Sequence, residues 1–168
     1  MDVRDADQTH LPGIVAIYNE VLATSTAIFN DQPTTVEERT AWFRARIAQG
    51  YPVLVALEGS RVLGYASFGD FRSWPGYRHT VEHSVHVAAE VRGRGVGAAL
   101  MAQLIPRAVA LGKHVMVAGI DASNAPSIRF HERLGFQRVG LLREVGCKFG
   151  RWLDLAFLQR NLGAGEPR

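Results

Sequence analysis

The stretch Val91-Arg92-Gly93-Arg94-Gly95-Val96-Gly97-Ala98 constrains this chain more than any other. A strand-like run, His79 to Val87, precedes it, and a helical run, Ala98 to Leu111, follows it. Three glycines at a strand-to-helix junction leave backbone N–H groups uncovered at the positive end of a helix, which suits a pyrophosphate. Arg92 and Arg94 add positive charge to the same turn. The stretch reads as a phosphate cradle.

Three loops of this kind are separable by their neighbours. A Walker loop ends in Gly-Lys-Ser/Thr, and here Gly97 is followed by Ala98-Ala99. A dinucleotide fingerprint is formally present as Gly93-x-Gly95-x-x-Ala98 with Asp121 downstream. That fingerprint follows the first strand of a βαβ array, however, whereas this loop lies past mid-chain behind strands with no helices between them. The third reading is an acyl-coenzyme A loop, Arg92-x-x-Gly95-x-Gly97. A second segment decides among them: Asn124-Ala125-Pro126-Ser127-Ile128-Arg129-Phe130-His131-Glu132-Arg133-Leu134-Gly135-Phe136, about one strand further on. Together the two segments resemble the paired hallmarks of the GNAT superfamily of N-acetyltransferases.

The whole chain is consistent with one domain over residues 1–162 and a frayed tail over 163–168. Its 168 residues bury a sizeable core, and 47% apolar with 21% charged residues is ordinary for a globular protein. No apolar run approaches the ~20 residues that span a bilayer, and Met1-Asp2-Val3-Arg4-Asp5 opens no signal peptide. A soluble, cytoplasmic protein with no membrane partner is expected. The net charge of +3 is scattered rather than gathered into a stripe, so no nucleic-acid partner is expected. A single cysteine, Cys147, rules out an internal disulfide and a Cys-x-x-Cys metal site, and it reads as a structural residue.

Periodicity and punctuation predict strands at Val3 to Ala6, Val53 to Leu57, Val62 to Gly69, Thr80 to Val87, Val115 to Ile120, Phe136 to Val145 and Trp152 to Gln159. Helices are predicted over Leu11 to Leu22, from the capping box Thr35-Val36-Glu37-Glu38 to Gln49, over Ala98 to Leu111, and over Asn124 to Leu134. The fold class is α/β: a mixed sheet with helices on both faces, in the order β-α-α-β-β-β-α-β-α-β-β. That order matches the GNAT topology.

Acetyl transfer to an amine needs a base for the ammonium, stabilisation of the thioester oxygen, and an acid for the leaving thiolate. Glu82 is the candidate base. It lies in Val81-Glu82-His83-Ser84-Val85-His86-Val87, where Glu82, Ser84 and His86 share one strand face. Partial burial there raises a carboxylate's pKa toward the useful range. His131 is the second candidate, standing where many superfamily members carry a tyrosine. The six histidines show no metal-ligand spacing with carboxylates, so no metal is expected. Arg72 suits an amino-acid α-carboxylate, which a guanidinium holds bidentately. Phe29, Trp74 and Tyr77 are candidate walls for a small side chain.

Within the superfamily the chain is similar to the phosphinothricin and methionine sulfone/sulfoximine N-acetyltransferases. The similarity rests on Ile17-Tyr18-Asn19, Thr26-Ala27-Ile28-Phe29, Ala41-Trp42-Phe43, Gly64-Tyr65-Ala66-Ser67, Arg78 to Val85, Ser127 to Phe136 and Lys148 to Asp154. This resemblance implies a homodimeric enzyme that uses acetyl-CoA to acetylate the α-amine of a small amino acid by direct attack. It implies Glu82 and His131 as the catalytic pair. It implies Phe29, Arg72, Ser73 and Trp74, with Glu82, His83 and Ser84, around the substrate. For the coenzyme it implies main-chain groups of Val85, His86 and Val87, the loop Arg92, Gly93, Arg94, Gly95, Val96, Gly97 and Ala98, and Asn124 with Ser127. Tyrosine is usual in the group where this chain has His86. The alternative reading is a non-catalytic acyl-CoA-binding module on the same fold, which acetyl-CoA stabilises but which acetylates no amine.

Overall fold

In a computed structural model, which describes residues 1–163 and Pro167, the chain forms one seven-stranded sheet with four α-helices. Of the tail expected to fray, residues 164–166 and 168 lie outside the described residues. The elements are β1 (Asp2–Asp5), α1 (Leu11–Thr24), α2 (Val36–Ala48), β2 (Val53–Glu58), β3 (Arg61–Asp70), β4 (Thr80–Val87), α3 (Val96–Ala110), β5 (Val115–Asp121), α4 (Ala125–Arg133), β6 (Gln137–Lys148) and β7 (Arg151–Asn161). Their order is the one expected from sequence. Short 3-10 turns at Gln8–His10, Pro75–Tyr77 and Ala89–Val91 add detail between them.

The strand order is β1-β2-β3-β4-β5-β7-β6, and every neighbouring pair is antiparallel except β4 with β5. Five consecutive residues of β2, Val53 to Leu57, are fully buried. A strand that is apolar and buried on both faces needs helices on both faces. On one side, Trp42 of α2 meets Tyr65 of β3 edge-on at 6.2 Å. On the other, Val96 and Leu100 of α3 approach Gly64 so closely that a Cβ there would lie 3.1–3.2 Å from them. Leu100, Met101 and Leu104 of α3 are completely buried against that face.

Local chemistry accounts for the element ends. Thr35 caps α2 through Glu38 N at 3.1 Å, and Glu38 reaches back to Thr35 N at 3.0 Å, completing the capping box. β6 and β7 are joined by the two residues Phe149 and Gly150, with φ of 52° and 70°, which matches the right-handed twist of a hairpin.

One tie fixes the segment between α1 and α2, and it involves a side chain far away in sequence. The Lys148 ammonium donates to the carbonyls of Leu22, Ser25 and Ile28 at 2.5, 2.7 and 2.9 Å, and the residue is 5% exposed. It sits at the negative end of α1, where the last carbonyls lack helical partners. Asp121 makes a second tie, accepting a short hydrogen bond from the Thr26 hydroxyl. The two clasps hold Ala27 and Ile28 against the sheet. Lys148→Met leaves three carbonyls unpaired and is expected to cost about 2–4 kcal/mol, a Tm drop of roughly 5–15 °C in a circular-dichroism melt.

Candidate active site

The only parallel pair in the sheet is also its shortest ladder. β4 and β5 pair at Thr80–Val115, Val81–Met116 and Glu82–Val117, and no further. Each strand keeps a long antiparallel partner on its outer side, Asp70 to Gly64 for β4 and Asn161 to Leu155 for β5. Beyond Glu82 the two therefore part while remaining rigid. Ala88 N donates to Leu63 O at 2.9 Å, which sets the alternation of the ladder. Even-numbered residues of β4 hydrogen-bond to β3, and the amides and carbonyls of Val85 and Val87 turn toward the gap. The His86 main chain is committed to Tyr65.

At the far end of β4 the chain enters the glycine loop. Gly93 and Gly95 have φ of +77° and +79°, and nothing lies within 4 Å of where a Cβ would stand on either. Gly95 is the N-cap of α3, and no side chain caps that helix. The N–H groups that open α3 thus face outward without partners among the described residues. Gly97 has a different task, since a Cβ there would come within 3.3 Å of the Phe130 ring of α4. Arg94 pairs with Glu58 at 2.9 Å, spending its charge on the protein.

At the near end, on the last rung of the short ladder, stands Glu82. It lines a cleft of about 280 Å³, together with Tyr18, Arg39, Trp42 and Tyr65 on one side and Gly119, Asn124, Ser127 and His131 on the other. Its Oε1 lies 3.5 Å from the position a Cβ would occupy on Gly119, so the bare glycine of β5 leaves room for the carboxylate. Glu82 stays partly open to solvent; the cleft walls that cover the rest of it push its pKa up, and the Arg72 guanidinium opposes that. Arg72 is itself stacked on the Phe71 ring at 5.0 Å.

The opposite face of β4 carries His83, stacked on His131 of α4 with ring centroids 5.0 Å apart. The His131 Nδ1–H donates to the Ser127 carbonyl at 2.7 Å. Because a carbonyl only accepts, Nε2 of a neutral His131 is a lone pair, and His83 Nε2–H donates to it at 3.1 Å. That leaves His83 Nδ1 as a buried acceptor with no partner among the described residues. Burial, with the nearby His131 and His86 rings, pushes the His83 pKa down to about 3. Burial also lowers that of His131, against the bond to Ser127. The pair is neutral at pH 7.

Residues 14–136 match the acetyltransferase (GNAT) family. The chain belongs to that family. An L-methionine sulfoximine/L-methionine sulfone acetyltransferase of Pseudomonas paraeruginosa is 55% identical over 161 residues, 95% of this chain and 94% of its own length. A phosphinothricin N-acetyltransferase of Alcaligenes faecalis is 39% identical over 165 residues, 98% of this chain and 82% of its own. The structure of an acetyltransferase from Salmonella typhimurium with its cofactor acetyl-CoA superposes with a TM-score of 0.97 at 48% identity, covering 100% of this chain and 97% of that one.

Against this GNAT frame the residues singled out by sequence, the glycine loop, Val87 and Tyr77 apart, fall into three groups. Glu82, His83, Ser84, Val85, His86, Asn124, Ser127 and His131 come together around the cleft. Asn124 is also the N-cap of α4, its Oδ1 accepting from Ser127 N at 3.2 Å. Arg72 acts on Glu82 from the rim, on the exposed loop that also carries Ser73. Phe29 and Trp74 stand outside the cleft walls: Phe29 packs over Gly146 of β6, and Trp74 is 74% exposed.

Other residues near the cleft follow from simpler sequence signals. Arg39 and Trp42 stand three residues apart on one stripe of α2, which Arg46 continues outside the cleft walls. Asp121, which a dinucleotide reading places on a ribose, instead accepts from Thr26 and from Ser123 N and Oγ at 2.9 Å. Cys147, which sequence reads as a structural residue, is exposed. Among the described residues no cluster of His, Cys, Asp and Glu is arranged to hold a metal ion, and no helix is long and apolar enough to cross a membrane.

The buried imidazoles make stability depend on pH. Burial, reinforced by Arg39 and Arg92, pushes the His86 pKa down to about 4. Both His83 and His86 thus titrate below their unfolded value of 6.5. On acidification the unfolded chain binds protons first, so stability is full above pH 6.5 and drains away as pH falls toward about 4 and about 3. Urea unfolding at about pH 5 is expected to show about 2 kcal/mol less stability per buried histidine than at neutrality. In His86→Phe protein the drop is smaller by about that one share.

Proposed function

We propose that this protein transfers the acetyl group of acetyl-CoA to the α-amine of a small amino acid, of the methionine sulfone, methionine sulfoximine or phosphinothricin type. One observation carries the reading. The gap between β4 and β5 runs from an uncapped, glycine-lined helix start to a single carboxylate on the last rung of the ladder. The free N–H groups after Gly95 fit a diphosphate, and the open space over Gly93 and Gly95 lets it approach the main chain. The outward amides and carbonyls of Val85 and Val87 fit an amide-bearing arm laid along the gap. When bound, the coenzyme supplies the acetyl group as a thioester.

The chain's own residues then divide the work. Arg72 orients the acceptor's carboxylate at the rim, which brings the amine toward Glu82. Glu82, its affinity for a proton raised by burial, takes the proton that the ammonium must lose before it attacks. His131 is the thiol-side group, from α4 across the gap. Its one proton is committed to the Ser127 carbonyl and its Nε2 accepts from His83, so its contribution is the smaller of the two.

Incubating protein, acetyl-CoA and methionine sulfone with a thiol reagent tests this directly. Exposed Cys147 consumes at most one equivalent, so continuous release of coenzyme A stands apart from it. Glu82→Gln is expected to lower kcat by about 10²–10⁴, and His131→Gln by about tenfold or less. The acid limb of kcat/KM lies above the ordinary carboxylate value of 4.5 and moves higher in Arg72→Gln, where the opposing charge is gone. No release above the Glu82→Gln background ends the proposal in favour of a binding module.

The same reading treats residues 1–162 as one catalytic unit working in the cytoplasm as a homodimer. β6 supports the dimer: it is an edge strand whose Val139, Leu141, Leu142 and Val145 are 42–54% exposed, beside Trp152 at 69%. An apolar edge of that kind invites pairing with a second copy. Light scattering after gel filtration is expected to give twice the mass of 18.5 kDa, and Leu141→Arg half of that.

A further inference from the structure

Four buried side-chain nitrogen and oxygen atoms lack a hydrogen-bond partner among the described residues, and two of them, the Tyr65 hydroxyl and Arg39 Nε, belong to one wall of the cleft. Tyr65 is 1% exposed, its ring held against Trp42 at 6.2 Å and His86 at 5.5 Å. A phenol so fixed and so dry costs stability unless something outside the fold satisfies it. The Arg39 guanidinium lies 4.0 Å over the Tyr18 ring and 4.6 Å over that of Trp42. Those faces attract its charge but satisfy none of its in-plane N–H groups. Among the described residues no carboxylate pairs with it.

Position within the cleft says which part of an acceptor this wall serves. The field of Arg39 acts on Tyr65 and His86, whereas the field acting on Glu82 is that of Arg72. An α-carboxylate shares a carbon atom with the amine, so it stays with the cation beside Glu82. Whatever reaches Arg39 and Tyr65 comes from the other end of the acceptor. Arg39 offers only donors and Tyr65 a hydroxyl, so the complementary group is one rich in acceptor oxygens. We propose that Tyr65 and Arg39 form the side-chain subsite of the acceptor pocket and select amino acids whose side chains end in sulfonyl- or phosphinyl-type oxygens. The proposal rests on the acetyltransferase reading above and adds the residues that set its specificity.

Tyr65→Phe tests it cleanly, because the atom removed has no partner in the fold. The free variant is expected to melt about 1–5 °C higher than wild type. Its kcat/KM for methionine sulfone is expected to fall about 10–100-fold, chiefly through KM, while that for norleucine, which lacks the oxygens, changes less than about twofold. Arg39→Gln shifts the same ratio in the same direction. An equal loss for both acceptors, or none for the sulfone, overturns the proposal. Calorimetric titration of the two amino acids reads the preference without turnover, so a protein that acetylates neither acceptor defeats the catalytic reading and leaves this one to be judged. Wild type binding the sulfone about tenfold or more tighter than norleucine, with the preference gone in Tyr65→Phe, upholds the subsite. Equal binding of both by wild type overturns it.

Discussion

The parting of β4 from β5 after Glu82 and Val117 is the constraint on which the rest of the molecule depends. Within a sheet, unpaired main-chain groups cost free energy, and a fold without a use for them closes the ladder. Here both strands are anchored on their outer sides over their full useful length, so the opening is held by rigid partners rather than by a loose loop. The glycine loop stands at one end of the opening, the carboxylate at the other, and α4 places Ser127 and His131 across it. Each of these elements is ordinary alone. Their common register comes from β4, whose alternation sends Glu82, Ser84 and His86 to the face of α2, His83 to the face of α4, and the amides of Val85 and Val87 into the gap.

Legibility in the sequence followed from how local each determinant is. The glycine loop was readable because positive φ at Gly93 and Gly95 and an uncapped helix start are properties of a few adjacent residues. The capping box at Thr35 and the limits of β4 were readable for the same reason. Lys148 was not, because its three acceptors lie 120–126 residues earlier in the chain. Nor was the Arg39–Trp42 stripe, since charged residues on α2 look like a solvated face until Tyr65 of β3 is placed beneath them. Family resemblance implied Glu82 and His131 as a pair without revealing that His131 has both ring nitrogens engaged. Trp74, an aromatic beside a Pro-Gly turn, reads as a pocket wall by composition and stands mostly in solvent.

The electrostatics of the cleft then follow from where burial falls. In water a histidine is a far better base than a glutamate, with model values of 6.5 and 4.5. Burial disfavours whichever form is charged, so it acts in opposite directions on the two residue types. It lifts Glu82 and pushes His83 to about 3 and His86 to about 4, inverting the usual order along a single strand. The carboxylate becomes the strongest base of β4 although imidazoles flank it one and four residues on. On the proposed reading, that order suits Glu82 to take the acceptor's proton, while the neutral rings add no charge beside the guanidinium groups of Arg39 and Arg72. Burial acts on the Tyr65 hydroxyl as well, raising its pKa and leaving it without a partner among the described residues. In the proposed reading, affinity for an oxygen-rich side chain and basicity toward its amine both draw on burial, nearly complete at Tyr65 and partial at Glu82, on the sheet face that α2 covers.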